Sequence, residues 1–268
     1  MADLDERMER IEQALDEGEY EEALALADEA IRAHPATGWL HAYRGEAMAA
    51  LGDLAAAIDS YREATRRAPD LAEFPDALAD LLFRAGRFPE ARGAADRALA
   101  LDSEMVGALD VLARLAERAG KIQEADALIA RARNAEPGIP APVRFSETEF
   151  REAVTEALER LPGEFSKALK ENLAIVVQPV PSEELIKSVD PSLDPTILGY
   201  YVGVPLPERE PNQAPPALPD VIYLFQRNLE HECGNREDLL EEIATTAYHE
   251  VAHFLGFDEE EMEELGLE

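Results

Sequence analysis

ATTAYHEVAHFLGFDEEEMEELG, residues 244–266, is the stretch around which this 268-residue chain is organised. Within it His249-Glu250-Val251-Ala252-His253 spells H-E-x-x-H. Leu239, Leu240, Ile243, Ala244, Ala247, Tyr248, Val251, Ala252 and Leu255 recur at i, i+3, i+4 spacing and predict a mostly buried helix. Residues four apart share a helix face, so His249 and His253 can offer two imidazole nitrogens to one metal ion, zinc being the first expectation. Glu250 stands about 100° round the helix, where a carboxylate reaches a water on that ion rather than the ion itself. Thr246 and Glu242, one and two turns earlier, continue the polar stripe and predict a site open to solvent there. Gly256 predicts a helix stop in the left-handed conformation.

A catalytic zinc takes three protein ligands and keeps one position for water. Past the glycine turn, Phe257 is followed by Asp258, Glu259, Glu260, Glu261, Met262, Glu263 and Glu264. The whole run reads H-E-x-x-H-x-x-G-x-x-E, and Glu259 falls where the metzincin signature has its third histidine. Asp258 is the alternative third ligand. The remaining carboxylates fit the solvated face of a short terminal helix, capped by Asp258 and closed by Leu265-Gly266.

Residues 146 to 268 resemble the small bacterial zincin-like metallopeptidases with a minimal zincin fold. The resemblance rests on an amphipathic helix ending in Leu161-Pro162, the strand LAIVVQ (173–178), ILGYYVGVPLPER (197–209), LPDVIYLFQRNLE (218–230) and the motif helix. It implies metal ligands at His249, His253 and Glu259, with Glu250 as general base. The loop Glu230-His231-Glu232-Cys233-Gly234 departs from the family pattern.

Elementary pattern reading gives the same half an α+β order. Ser146 with Glu149 forms a capping box, and Phe150, Val154, Ala157, Leu158 and Leu161 make the buried stripe of the helix that follows. Leu173 to Val177 reads as an interior strand, Pro181 to Val189 as a short helix, and Ile197 to Val202 and Val221 to Phe225 as two further strands. The prolines at 205, 207, 211, 215, 216 and 219 predict no regular element between those two strands. Either of the two can pair with an extended substrate by strand addition.

The N-terminal half is periodic. Gly18, Gly52, Gly86 and Gly120 stand 34 residues apart, as do Ala23, Ala57, Ala91 and Ala125, and Ala30, Ala64, Ala98 and Ala132. Pro35, Pro69, Ser103 and Pro137 form a fourth column. This period resembles the tetratricopeptide repeat: two antiparallel helices per unit, a glycine ending the first, small residues at the crossings. Four helix pairs over residues 1–138 are expected to stack as an all-α solenoid whose concave face docks peptides or partner proteins. The position that usually carries an aromatic holds Arg7, His41, Pro75 and Leu109 instead, and Pro75 is tolerable in a first helical turn. Residues 139–145 form a stiff, proline-rich linker, and residues 146–268 the second, α+β domain. Each part is long enough to bury its own core.

The net charge of −32 spreads over both halves and speaks against nucleic acid or an anionic membrane as partner, since neither half carries the basic footprint that phosphates need. Basic or unfolded substrates suit the field better. The start M-A-D-L-D-E-R has no basic n-region or apolar h-region, and no apolar run nears the ~20 residues of a membrane span, so a cytoplasmic location is expected. Cys233 is the sole cysteine, which fits a reducing compartment and lacks the partners of a thiol nucleophile. Trp39 is expected in the repeat core. Together these features predict a zinc-dependent peptidase with repeats that deliver its peptide or protein substrate. The other reading is a non-catalytic interaction module whose zincin-like part is structural or degenerate.

Overall fold

The computed structural model describes residues 2–160, 173–189, 192–208, 220–257 and 261–262. It divides into two compact units, one made of Met1–Gly138 with Ile186–Pro195, the other of Ile139–Leu185 with Thr196–Glu268.

The first unit holds α1 (Ala2–Asp16), α2 (Tyr20–Ala33), α3 (Gly38–Ala50), α4 (Leu54–Arg67), α5 (Glu73–Arg84), α6 (Phe88–Leu101), α7 (Val106–Arg118) and α8 (Ile122–Ala135). These are the four helix pairs that the 34-residue period predicts. Each pair turns at a glycine with φ between +68° and +84°, a conformation in which a Cβ would crowd the following carbonyl. Ala23, Ala57, Ala91 and Ala125 are fully buried, as are Ala30, Ala64 and Ala98, so the two alanine columns are the places where helix backbones meet. Each helix packs on the next, and α1 also touches α3 while α5 touches α7. Pro75 sits in the first turn of α5 and is buried there. Trp39 is less enclosed than its sequence position predicts: it keeps 37% of its surface exposed and leans edge-on against Phe74 at 4.9 Å. The segment Ile186–Pro195 completes this unit, with Ile186 buried beside Gly86 and Asp194 accepting a 3.0 Å hydrogen bond from Arg84 Nε.

The second unit opens with α9 (Glu147–Glu159), started by the predicted capping box between Ser146 and Glu149. It continues through β1 (Leu173–Gln178), a short helix α10 beginning at Glu183, β2 (Gly199–Val202), β3 (Asp220–Phe225), α11 (Gln226–Glu232) and α12 (Arg236–Leu255). Leu161 and Pro162 lie outside the described residues. The sheet runs in the order β1-β3-β2, with β1 parallel and β2 antiparallel to β3. This corrects the expectation for Leu173 to Val177: β1 is an edge of the described sheet and only half-buried, whereas β3 is central. An apolar β-branched run reports that a strand is covered, not how many neighbours it has. A second correction concerns the proline-rich stretch, where Leu206–Glu208 forms a 3₁₀ turn, an element whose φ values proline accommodates. The core joins Phe150, Ala153, Val154 and Ala157 of α9 to Ile222 and Leu224 of β3 and to Leu239, Leu240, Ile243 and Val251 of α12.

Two glycines separate conformational need from mere tolerance. Gly120→Val, forced to φ +71°, should cost about 1–2 kcal/mol. Gly93→Ala, inside α6 with open space around the missing Cβ, should stabilise by about 0.5–1 kcal/mol. Urea unfolding followed by circular dichroism measures both; shifts of the same sign would refute this account of the turns.

Candidate metal centre

Helix α12 carries H-E-x-x-H near its C-terminal end, and both ends of the helix are built for stability. Asn235 accepts from the Glu237 and Asp238 amides at 2.9 and 3.1 Å, and Glu237 and Asp238 place negative charge at the positive end of the dipole. At the other end Gly256 takes φ +96°, as its position after the motif predicts, and its amide donates to the Ala252 and His253 carbonyls.

His249 and His253 point their Nε2 atoms at each other across 3.1 Å, with the rings 83° from coplanar. Two nitrogens bound to one zinc at about 2.0–2.1 Å in near-tetrahedral geometry stand roughly 3.3 Å apart. The observed separation is close to that value. Glu250, one residue on, is only 7% exposed and lies beneath β2: a Cβ built on Gly199 would meet Thr246 Cγ2 at 2.6 Å, Glu250 Cγ at 3.2 Å and Glu250 Oε1 at 3.3 Å. His249, Glu250 and His253 share the wall of a cavity of about 740 Å³ with Gly199, Tyr200, Tyr201, Gly203, Pro207, Glu208 and Phe257. Pro207 closes against Gly256, where a Cβ would collide with its ring.

Residues 170–267 match the zincin-like metallopeptidase family, and residues 9–72 and 77–139 match the tetratricopeptide repeat family. The chain thus joins a zincin-like metallopeptidase domain to tetratricopeptide repeats. Among solved structures it is similar to MamA (20% identity, 48% of this chain and 75% of that chain, TM-score 0.44). It is also similar to a thermophilic repeat protein of Thermus thermophilus (22% identity, 56% and 78%, TM-score 0.43) and to YrrB (18% identity, 61% and 84%, TM-score 0.43), described as having an unusual peptide-binding site. A search of the curated proteins gives no match.

In the zincin-like domain the structure brings His249, Glu250 and His253 to one cavity. Glu259 and Asp258, the alternatives for the third ligand, lie outside the described residues. Among the described residues no group of three His, Cys, Asp or Glu side chains is close enough to hold one ion. On either side of 258–260, Phe257 and Met262 both pack on the cluster around Ala252, the residue next to His253.

Tyr200, Tyr201 and Tyr248 differ in their surroundings. Tyr201 donates its hydroxyl to Asp220 Oδ1 at 2.9 Å, and the Val204 amide donates to the same oxygen at 3.3 Å. This clasp shapes the turn that leads to Pro205–Glu208. Tyr200 lines the cavity, whereas Tyr248 packs towards Ala252 and Met262.

The stripe of Glu242 and Thr246 is not open to solvent as its spacing predicts: Thr246 is 8% exposed and lies beneath Gly199, and Glu242 is half-buried. The segment 230–234, read as a loop, begins as helix, because Gln226–Glu232 forms α11. Glu230 there is fully buried and collects the Phe145 amide at 3.0 Å, Gln226 Nε2 at 2.7 Å and the guanidinium groups of Arg227 and Arg144. It therefore fastens the start of α9 rather than serving chemistry. Burial pushes the Cys233 thiol up to about 12, which removes it from nucleophilic work at neutral pH.

Gly199, Pro207 and Glu208 are cavity residues that sequence reasoning did not single out. Only a glycine at the mouth of a strand carried a trace of this role, as a place of close backbone approach.

Gly199→Ala should lower stability by about 1–3 kcal/mol through overpacking on Thr246, read as a lower urea midpoint; an unchanged midpoint would mean that the strand can lift off the helix freely. Cys233 should resist iodoacetamide at pH 8 in the folded chain and react at once in urea; equal rates in both states would contradict its burial and raised pKa.

Proposed function

We propose that the chain is a zinc-dependent metallopeptidase in which His249 and His253 hold the ion, Glu259 completes the set with Asp258 as the alternative, and Glu250 is the general base. The observation that carries this reading is the 3.1 Å approach of the two Nε2 atoms beside a buried carboxylate. Zinc, when bound in such a set, supplies a Lewis acid that lowers the pKa of water and polarises a carbonyl.

The chain's own residues supply the rest. Glu250 takes the proton of the attacking water and returns it to the amine that leaves. An extended substrate adds to the sheet beside β2, because β3 is paired on both sides and β2, among the described strands, has one edge left. Tyr200 on the cavity wall is the tyrosine best supported as a donor to the developing oxyanion, since the Tyr201 hydroxyl is engaged by Asp220. The repeats dock a protein or peptide, with the first helices of the pairs forming the docking face. No helix among the described residues is long and apolar enough to cross a membrane, and a cytoplasmic, reducing setting suits the lone buried cysteine.

Glu250→Gln should retain stoichiometric zinc and lose about 10²–10⁴-fold in turnover of a peptide library, whereas His253→Ala should lose the zinc itself. Zinc content by mass spectrometry and cleavage by liquid chromatography read the two effects. Undiminished cleavage by Glu250→Gln would exclude Glu250 as the base.

A further inference from the structure

A second recess, of about 260 Å³, lies against the same helix and shares Ile197, Gly199, His249 and Glu250 with the larger cavity. Its remaining wall is Leu198 from the strand entry and Glu242, Thr245 and Thr246 from α12. Whole small molecules usually occupy roughly 300–1,000 Å³, so this recess has the size of a single side chain. Its rim is fixed. Asn228 Nδ2 donates to the Ile197 carbonyl at 2.6 Å, and the Phe225 amide donates to the Leu198 carbonyl at 2.9 Å.

The lining combines the carboxylates of Glu242 and, at the end shared with the larger cavity, Glu250 with two threonines and an aliphatic wall. Glu242 is half-buried, and among the described residues the other charge acting on it is the Glu232 carboxylate, so no cation there offsets its desolvation. Burial first and then Glu232 hold its carboxyl above the ordinary range, the mark of a charge short of a partner. A carboxylate in that position repels acids, wastes an apolar guest, and gains from an ammonium or guanidinium. From His249 back to Glu242 is seven residues of helix, about 10 Å of axis. One residue of extended backbone, about 3.3 Å, plus the long stem of lysine or arginine spans it. The stem would lie along Ile197 and Leu198, as such stems do on apolar surface.

We infer that this recess is the specificity subsite of the zincin-like domain, taking the lysine or arginine side chain of a residue next to the scissile bond with Glu242 as its counter-ion. The inference rests on the peptidase reading and names its substrate class. The surplus of acids in the chain, −32 in net charge, draws such substrates to the site.

The test uses the full zinc-loaded chain and a matched pair of peptides that differ only in lysine against norleucine. The lysyl peptide should be preferred about tenfold or more in kcat/KM, the worth of one charge-assisted hydrogen bond. That ratio should fall to near one in Glu242→Gln, which keeps the shape, and turn towards a glutamyl peptide in Glu242→Lys. A ratio that stays the same in all three proteins overturns the subsite while leaving the peptidase reading intact. Absence of any turnover would count against the peptidase reading, and the subsite is then decided by calorimetric binding of the same two peptides to the zinc-loaded chain. Tenfold tighter binding of the lysyl peptide that is lost in Glu242→Gln supports it, and equal binding refutes it.

Discussion

The candidate centre depends on how closely β2 lies on α12. At Gly199 the strand has no side chain, and the space a methyl would need is already filled by Thr246 and Glu250. That approach buries Glu250 and Thr246 and leaves His249 on the walls of two adjoining cavities. A residue with any bulk at 199 would push the strand outward and admit water to the carboxylate, weakening each electrostatic interaction there. The proposed base and the proposed subsite thus share one backbone contact.

Polar clamps hold that contact in register. β3 fixes β2 through antiparallel pairing of Gly199 with Leu224 and Tyr201 with Ile222, while Asn228 secures the carbonyl just ahead of the strand. Asp220 binds Tyr201 and the Val204 amide, which aims the 206–208 turn at the end of the motif helix. Glu230, buried and ringed by Arg144, Arg227, Gln226 and the Phe145 amide, does the same for the chain entering α9. Buried carboxylates are costly unless every oxygen is met, and Glu230 is met on both. Glu242, half-buried with another acid for company, is the contrast that marks it for a guest.

The repeat unit follows different physics. Its contacts run between neighbouring helices, so a short pattern repeated four times suffices to define it. Glycine supplies the left-handed turn and alanine the close crossing, both properties of single residues that need no distant partner. The same chain segment that reads as part of the second domain, Ile186–Pro195, nonetheless belongs to this unit, with Ile186 buried beside the Gly86 turn. Nothing in its own pattern announces that, because the partner surface lies a hundred residues earlier.

Local chemistry is what the sequence by itself determined: eight repeat helices with their glycine turns, the capping box at Ser146, the stop of the motif helix at Gly256, and the two histidines on one of its faces. Each follows from spacings shorter than one helix or one repeat. The order of the sheet, with β3 rather than β1 at its centre, the enclosure of Thr246, the helical start of 230–234 and the exposed flank of Trp39 were decided by tertiary structure. These depend on which surface arrives from elsewhere in the chain, and hydrophobic periodicity encodes that a face is covered without naming what covers it. The recess at Glu242 exists for that reason: its walls come from two segments more than forty residues apart, brought together over the one position that has no side chain.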